Sequence, residues 1–263
     1  MMGWYEEQRR RDAESRALSE SLLGMERQVF EEAMALMAEC LDAVSASDWP
    51  DSLSTRRKIQ YACHAFNLLW SAWDLMLAGR YGAARQLERS INESADFLEG
   101  LYIDPDLADR IPAGTKDLDT VRRTVQKALN RRGTGTGTEW LRQRQEWDKM
   151  FQASAHVSGE ATSLLAVEVR GTAKTAYVRP GGVVAEPTLR LTANGLAAAA
   201  DALLPAMVLA FTEVPDVNDL WERLPSMCER HRSVLGSERQ GLNYPSGEVD
   251  YLISVKSDEE VTT

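Results

Sequence analysis

Residues 61–102, YACHAFNLLWSAWDLMLAGRYGAARQLERSINESADFLEGLY, hold two stretches of helical apolar spacing separated by a glycine-bearing break. In the first stretch Ala62, Phe66, Leu69, Trp70, Trp73 and Leu77 recur at steps of three and four, which places them on one helical face. In the second, Ala84, Leu87, Ile91, Ala95, Leu98 and Leu101 repeat the pattern, and Arg85, Glu88, Arg89, Asn92 and Glu93 form a polar face expected to be wet. Gly79 and Gly82 are expected to interrupt both arms, because glycine is costly in a helix interior and readily takes the left-handed turn conformation. The pattern predicts an antiparallel helix hairpin whose two stripes bury each other.

Other segments extend a helical scaffold around it. Leu18, Leu22, Met25, Val29, Ala33, Leu36, Cys40 and Val44 predict one long helix over residues 12–44, ended by Ser45 to Pro50. Leu118, Val121, Val125 and Leu129 predict a further helix ending at Arg131-Arg132-Gly133. The alternating Gly/Thr tract 133–138 is expected to be a mobile loop, since it lacks both helix propensity and the Gly-Lys-Ser/Thr ending of a phosphate cradle. Trp140, Arg144, Trp147 and Phe151 then give a helix to about residue 155. Between residues 166 and 192 the period shortens: Val167 and Val169, Thr175 to Val178, Val183-Val184 and Thr188 to Leu191 predict a small antiparallel β insert. An apolar helix from Asn194 through Phe211, bent at Pro205, and a last helix from Pro215 to about Leu235 complete the reading.

The fold class expected is therefore mainly α, a helical bundle built on the antiparallel hairpin. The 263 residues divide into a single helical domain, 1–235, carrying the loop and the β insert, and a partly disordered C-terminal extension, 236–263. No apolar run approaches the roughly 18 residues of a membrane span, and the start MMGWYEEQRRRDAESR is charged, so a cytoplasmic protein without membrane association is expected. Cys40, Cys63 and Cys228 are odd in number and widely spaced, which predicts buried free thiols rather than disulfides or a zinc site. No motif for a cofactor or metal is present, and none is expected.

A net charge of −10 argues against wrapping by nucleic acid. Charge is uneven, however, and residues 116–149 carry a basic segment. Arg122, Arg123, Lys127, Arg131 and Arg132 are its candidate binding residues, suited to RNA or a nucleotide, while the helix faces suit a protein partner or a homodimer. Only three histidines exist, His64, His156 and His231; His156 follows the basic segment where a helix gives way to a glycine-containing turn.

The turn Ala78-Gly79-Arg80-Tyr81, followed by Ala84, Leu87, Glu88 and Glu93, and then a helix ending in Ser154-Ala155-His156-Val157-Ser158, resembles uncharacterised bacterial helical proteins akin to HEPN domains. The resemblance spans residues 62–158. It implies antiparallel helix pairs that dimerise, and, as in toxin and antiviral members, RNA cleavage by an arginine and a histidine four to six residues apart. Here six intervening residues before His156 lead to Lys149, not arginine; Arg57 and His64 have the right types and spacing but span a helix start and the core face. In a nuclease of this kind His156 would take the 2′-hydroxyl proton without a metal, and Lys149 and Arg144 would stabilise the phosphorane. The preferred reading is a non-enzymatic binding or interaction module in a bacterial defence or stress system. The alternatives are a HEPN-like endoribonuclease with a degenerate site, and a structural or assembly component.

Overall fold

The computed structural model describes residues 3–111, 117–131, 136–155, 167–170, 175–178, 184 and 186–236. In chain order the elements are α1 (Trp4–Leu22), α2 (Met25–Ala46), α3 (Leu53–Leu77), α4 (Tyr81–Ile103), the single turn α5 (Leu107–Arg110), α6 (Leu118–Arg131) and α7 (Thr136–Ala155). Strands β1 (Val167–Arg170) and β2 (Thr175–Val178) follow, then α8 (Glu186–Ala210) and α9 (Pro215–Gly236). The protein is mainly helical.

Helices α3 and α4 make the predicted pair. Ser52 caps α3 by accepting the Thr55 N–H at 3.1 Å. At the far end Gly79 takes a positive φ of 72°, and the Arg80 N–H donates back to the Leu75 carbonyl at 2.9 Å, a glycine-dependent helix stop. Gly82 instead lies in the first turn of α4 and interrupts nothing. The rings of Tyr61 and Phe97 stack with centroids 4.6 Å apart. They stand at similar distances before and after the turn, so the helices run antiparallel.

The buried stripe of α3 is rotated from the expected one: Ala62, Ala65, Leu69, Ala72, Trp73 and Met76 are buried, whereas Trp70 is 56% exposed and Cys63 is also exposed. Three alanines on that face allow close helix approach, and Trp73 stacks on Phe30 of α2 at 3.9 Å. Burial pushes the Cys40 thiol up to about 12, leaving it a packing group.

The single helix expected over residues 12–44 is two. Leu23 leaves helical geometry (φ −101°, ψ 80°) with its side chain buried, and Gly24 precedes α2. Glycine makes this the least costly place to interrupt a helix. The break lets α1 lie along α3, where Arg16 meets Asp74 at 2.7 Å and Arg80 pairs with Asp12. It leaves α2 to pack on α8, where Glu26 receives Arg190 at 2.6 Å.

Helix α8 begins earlier than expected and takes in Thr188 to Leu191, read from sequence as strand; β-branching and alternation there yield to burial of Leu189 against the bundle. Pro205 lies inside the continuous helix. Its segment Thr188–Ala210 is long and apolar enough to cross a membrane, but 94% of its most apolar window is buried among the other helices. The sheet described is one antiparallel pair with Val167 opposite Val178 and Arg170 opposite Thr175. Of the Gly/Thr tract, residues 133–135 lie outside the described residues and the rest is helical, opening α7. The C-terminal extension after residue 236 also lies outside them.

Gly137 explains that difference. A Cβ there would stand 2.4 Å from the Gln126 carbonyl oxygen, so the glycine is a contact between α6 and α7. Gly100 plays the same part between α4 and α6: an added Cβ would meet Val121 Cγ1 at 2.6 Å and Leu107 Cδ1 at 3.3 Å. Gly100→Ala is expected to lower unfolding free energy by about 1–3 kcal/mol through overpacking, as read by urea denaturation; unchanged stability would mean that the α4–α6 contact is looser than described.

Candidate functional site

The polar face of α4 is not wet. Arg85, Glu88, Asn92, Asp96 and Glu99 follow one another at helical steps of three, four, four and three, and all are buried. The apolar side, with Ala84, Ile91, Ala95 and Leu98, enters the main core with α2, α3, α8 and α9. Phe97 and Leu101 turn to a second cluster with Leu107, Ile111 and Val121. Helix α4 is therefore covered on every side over most of its C-terminal half. Its polar stripe needs partners from protein rather than water.

Arginines from α6 and α7 supply them at one end. Arg122 Nε donates to Asp96 Oδ2 at 2.7 Å, and its terminal nitrogens reach Asp148 of α7. Arg144 Nε stands 2.9 Å from Asp96 Oδ1, and Arg144 Nη2 donates to Glu99 Oε1 at 2.9 Å. Asp96 thus lies between guanidiniums from two helices. Burial works against the charge of Arg122, but neighbouring Asp96 and the bonds to Asp148 and Asp96 outweigh it and hold the guanidinium above its ordinary value. Arg144, only 2% exposed, also lies 5.3 Å from the Trp140 ring centroid.

At the other end the stripe is incompletely matched. Both Glu88 oxygens lack a hydrogen-bond partner, and Arg85 Nη2 stands 3.8 Å from Oε2. Asn92 donates its amide to the Glu88 carbonyl at 3.0 Å but leaves Oδ1 without a bond. Burial pushes the Glu88 carboxyl up to about 7 against the pull of Arg85.

A different feature opens to solvent. The end of α4, the α5 turn and one face of α6 enclose a cleft of about 570 Å³. Thr124, Lys127, Ala128 and Arg131 line it from α6, at the spacing that puts them on one face. Tyr102, Ile103, Asp104 and Arg110 line the opposite side. Asp104 is paired with Arg110, and the Thr124 hydroxyl donates to the Thr120 carbonyl at 2.9 Å. Lys127 and Arg131 are exposed and form no ion pair among the described residues.

The basic segment is therefore divided by its fold. Arg122 and Arg144 are buried in ion pairs and contribute nothing to a basic surface; Arg142 is exposed but held by Glu139 and Glu146. Arg123, Lys127 and Arg131 are exposed, and the last two share the cleft. Lys149 is exposed, five residues from Arg144 and hence on a different face of α7. His156 and Arg132 lie outside the described residues. Of the alternative pair, Arg57 donates to the Ile111 carbonyl at 2.6 Å, and His64 is exposed. Among the described residues no group of three or more His, Cys, Asp or Glu is placed to hold a metal ion.

Asp96 and Glu99, the anchors of the ion network, escaped the sequence reading. The signal available was a polar stripe continuing through the most apolar part of α4, with too many arginines downstream for solvent alone. The cleft walls Asp104 and Arg110 had no sequence signal, since they come from the segment that follows α4. Comparisons with protein-family models, curated proteins and solved structures gave no match for this chain.

Two outcomes follow from the buried stripe. Arg144→Ala takes one of two guanidiniums from buried Asp96 and an ion-pair partner from buried Glu99 and should cost about 3–5 kcal/mol of stability in denaturant titrations, whereas an exposed Lys149→Ala should change it by no more than about 0.5 kcal/mol. Glu88 is raised from 4.5 to about 7 on folding, so it favours the folded state fully below about pH 4.5 and loses that contribution as pH rises through 7. Glu88→Gln should remove a pH dependence on the order of 3 kcal/mol between pH 5 and 8. Identical pH profiles for the variant and the wild type would contradict the burial of an ionisable group there.

Proposed function

We propose that the protein is a non-enzymatic binding module that engages a phosphate-bearing partner through the cleft face of α6. The observation that carries this reading is the contrast between its cations. Arg122, Arg144 and Arg142 are matched by carboxylates, while Lys127 and Arg131, one helical turn apart in a concave setting, have none among the described residues. Two such cations in one concavity attract an anion more strongly than scattered surface charges do. Arg123 lies one turn before Lys127 and extends the positive strip.

The HEPN-like nuclease remains the second reading, on the resemblance over residues 62–158 and on the exposed Lys149 near the end of α7. Arg144 is withdrawn from that set, because a guanidinium that neutralises Asp96 and Glu99 in the interior is not free to clamp a phosphorane. Lys149 alone offers a point charge without arginine's fork.

Equilibrium binding of a fluorescent RNA oligonucleotide and of a fluorescent 5′-nucleotide, at low salt with chelator, separates the two. Wild-type protein should bind at least one of them without cleaving RNA, and the exposed double variant Lys127→Glu/Arg131→Glu should lose at least about tenfold in affinity with its melting temperature unchanged. Equal affinity in the double variant would sink the binding reading. RNA fragments that disappear with His156→Ala would replace it with the nuclease.

A further inference from the structure

Resting on that reading and going further, we infer that the cleft is a site for a nucleoside phosphate, a ligand of mononucleotide size with a phosphate end and a planar, partly apolar end. The volume of about 570 Å³ lies within the range of small-molecule sites. It is bounded by residues of unlike chemistry on its two sides, and each side selects a different part of the ligand.

On the α6 side Lys127 and Arg131 lie one turn apart, so their side chains can meet on a single phosphate or on two adjoining ones. Arginine supplies the planar fork and lysine the point charge, a combination suited to a terminal phosphate with its several acceptor oxygens. On the opposite side the third cation, Arg110, is already bound by Asp104. The neutralised pair at that wall does not attract a second stretch of phosphate, and the Asp104 carboxylate keeps acceptor capacity for a sugar hydroxyl or an exocyclic amine. Tyr102 and Ile103, with Ala128 across from them, provide apolar surface for a ring.

The whole-molecule charge points the same way. A net charge of −10 weighs against a long polyanion, whose phosphates beyond the strip meet a protein of net negative charge. A mononucleotide ends within it. One anchored phosphate group and one shielded ring meet the size, the charge division and the apolar wall together.

Isothermal titration of the full-length protein with ADP, AMP, inorganic pyrophosphate and adenosine, and with a 12-nucleotide RNA, tests this. The expected result is binding of ADP or AMP, at least about tenfold weaker binding of pyrophosphate and of adenosine, and about tenfold loss for ADP or AMP in Lys127→Ala and in Arg131→Ala. Both substitutions are at exposed positions, and circular dichroism should show an unchanged fold. Pyrophosphate binding as tightly as ADP and AMP overturns the ring subsite. RNA binding that depends on Lys127 and Arg131, without competition by ADP or AMP, overturns the mononucleotide inference and leaves the proposed binding module standing. If no compound distinguishes wild type from Lys127→Glu/Arg131→Glu, both fail.

Discussion

Asp96 has guanidiniums from two helices against it in a place that water does not reach, and the arrangement of α4, α6 and α7 depends on that contact. A buried carboxylate cannot stay charged without such partners, and a buried guanidinium cannot shed its proton. The pair of arginines therefore accepts only one register of α6 and α7 on α4. Such an ion cluster adds little net stability over an apolar core of the same shape, because desolvation consumes most of the attraction. Its effect is geometric. With Arg122 turned inward to Asp96, Lys127 and Arg131, five and nine residues further along α6, come about 140° and about 180° around the helix from it, so they face outward and line the cleft.

Close approach of the same helices depends on two glycines. Gly100 faces Val121 of α6 and Gly137 faces the Gln126 carbonyl, at separations where a methyl group does not fit. The arginines of α6 and α7 reach Asp96 and Glu99 across the short distances these contacts permit. The apolar cluster of Val125, Leu129 and Trp140 closes the same interface beside the ion network. Packing and charge thus cooperate in fixing one docking of the α6–α7 pair, and the cleft is a consequence of that docking.

Helices with a regular apolar stripe were legible in sequence because period alone decides them. The α3–α4 hairpin, the extent of α6 and the start of α9 followed from spacing, caps and a glycine stop, all local properties. The break at Leu23-Gly24 was missed because the apolar stripe runs through it; how each of the two helices then packs on α3 and α8 is a long-range matter. Thr188 to Leu191 has strand-like composition yet is helical, because burial of Leu189 against the bundle outweighs a weak intrinsic preference. Of the candidate residues, Lys127 and Arg131 lie together as the basic segment suggested. Arg122 and Arg144 belong to the interior, since nothing in the adjacent sequence records that carboxylates 26 and 45 residues earlier would meet them.

By itself the sequence determined a chain of amphipathic helices, the hairpin at Gly79 and a concentration of positive charge over residues 116–149, because periodicity, glycine conformation and composition are properties of neighbouring residues. Only the tertiary structure decided which polar groups meet water. Arg85, Glu88 and Asn92 read as part of a solvated face, yet with Asp96 and Glu99 they form a stripe that the rest of the bundle covers, and Lys127 and Arg131 become a concave site only when the end of α4 and the α5 turn stand opposite. Burial depends on what packs from elsewhere in the chain, and a helical stripe records only its own side of that contact.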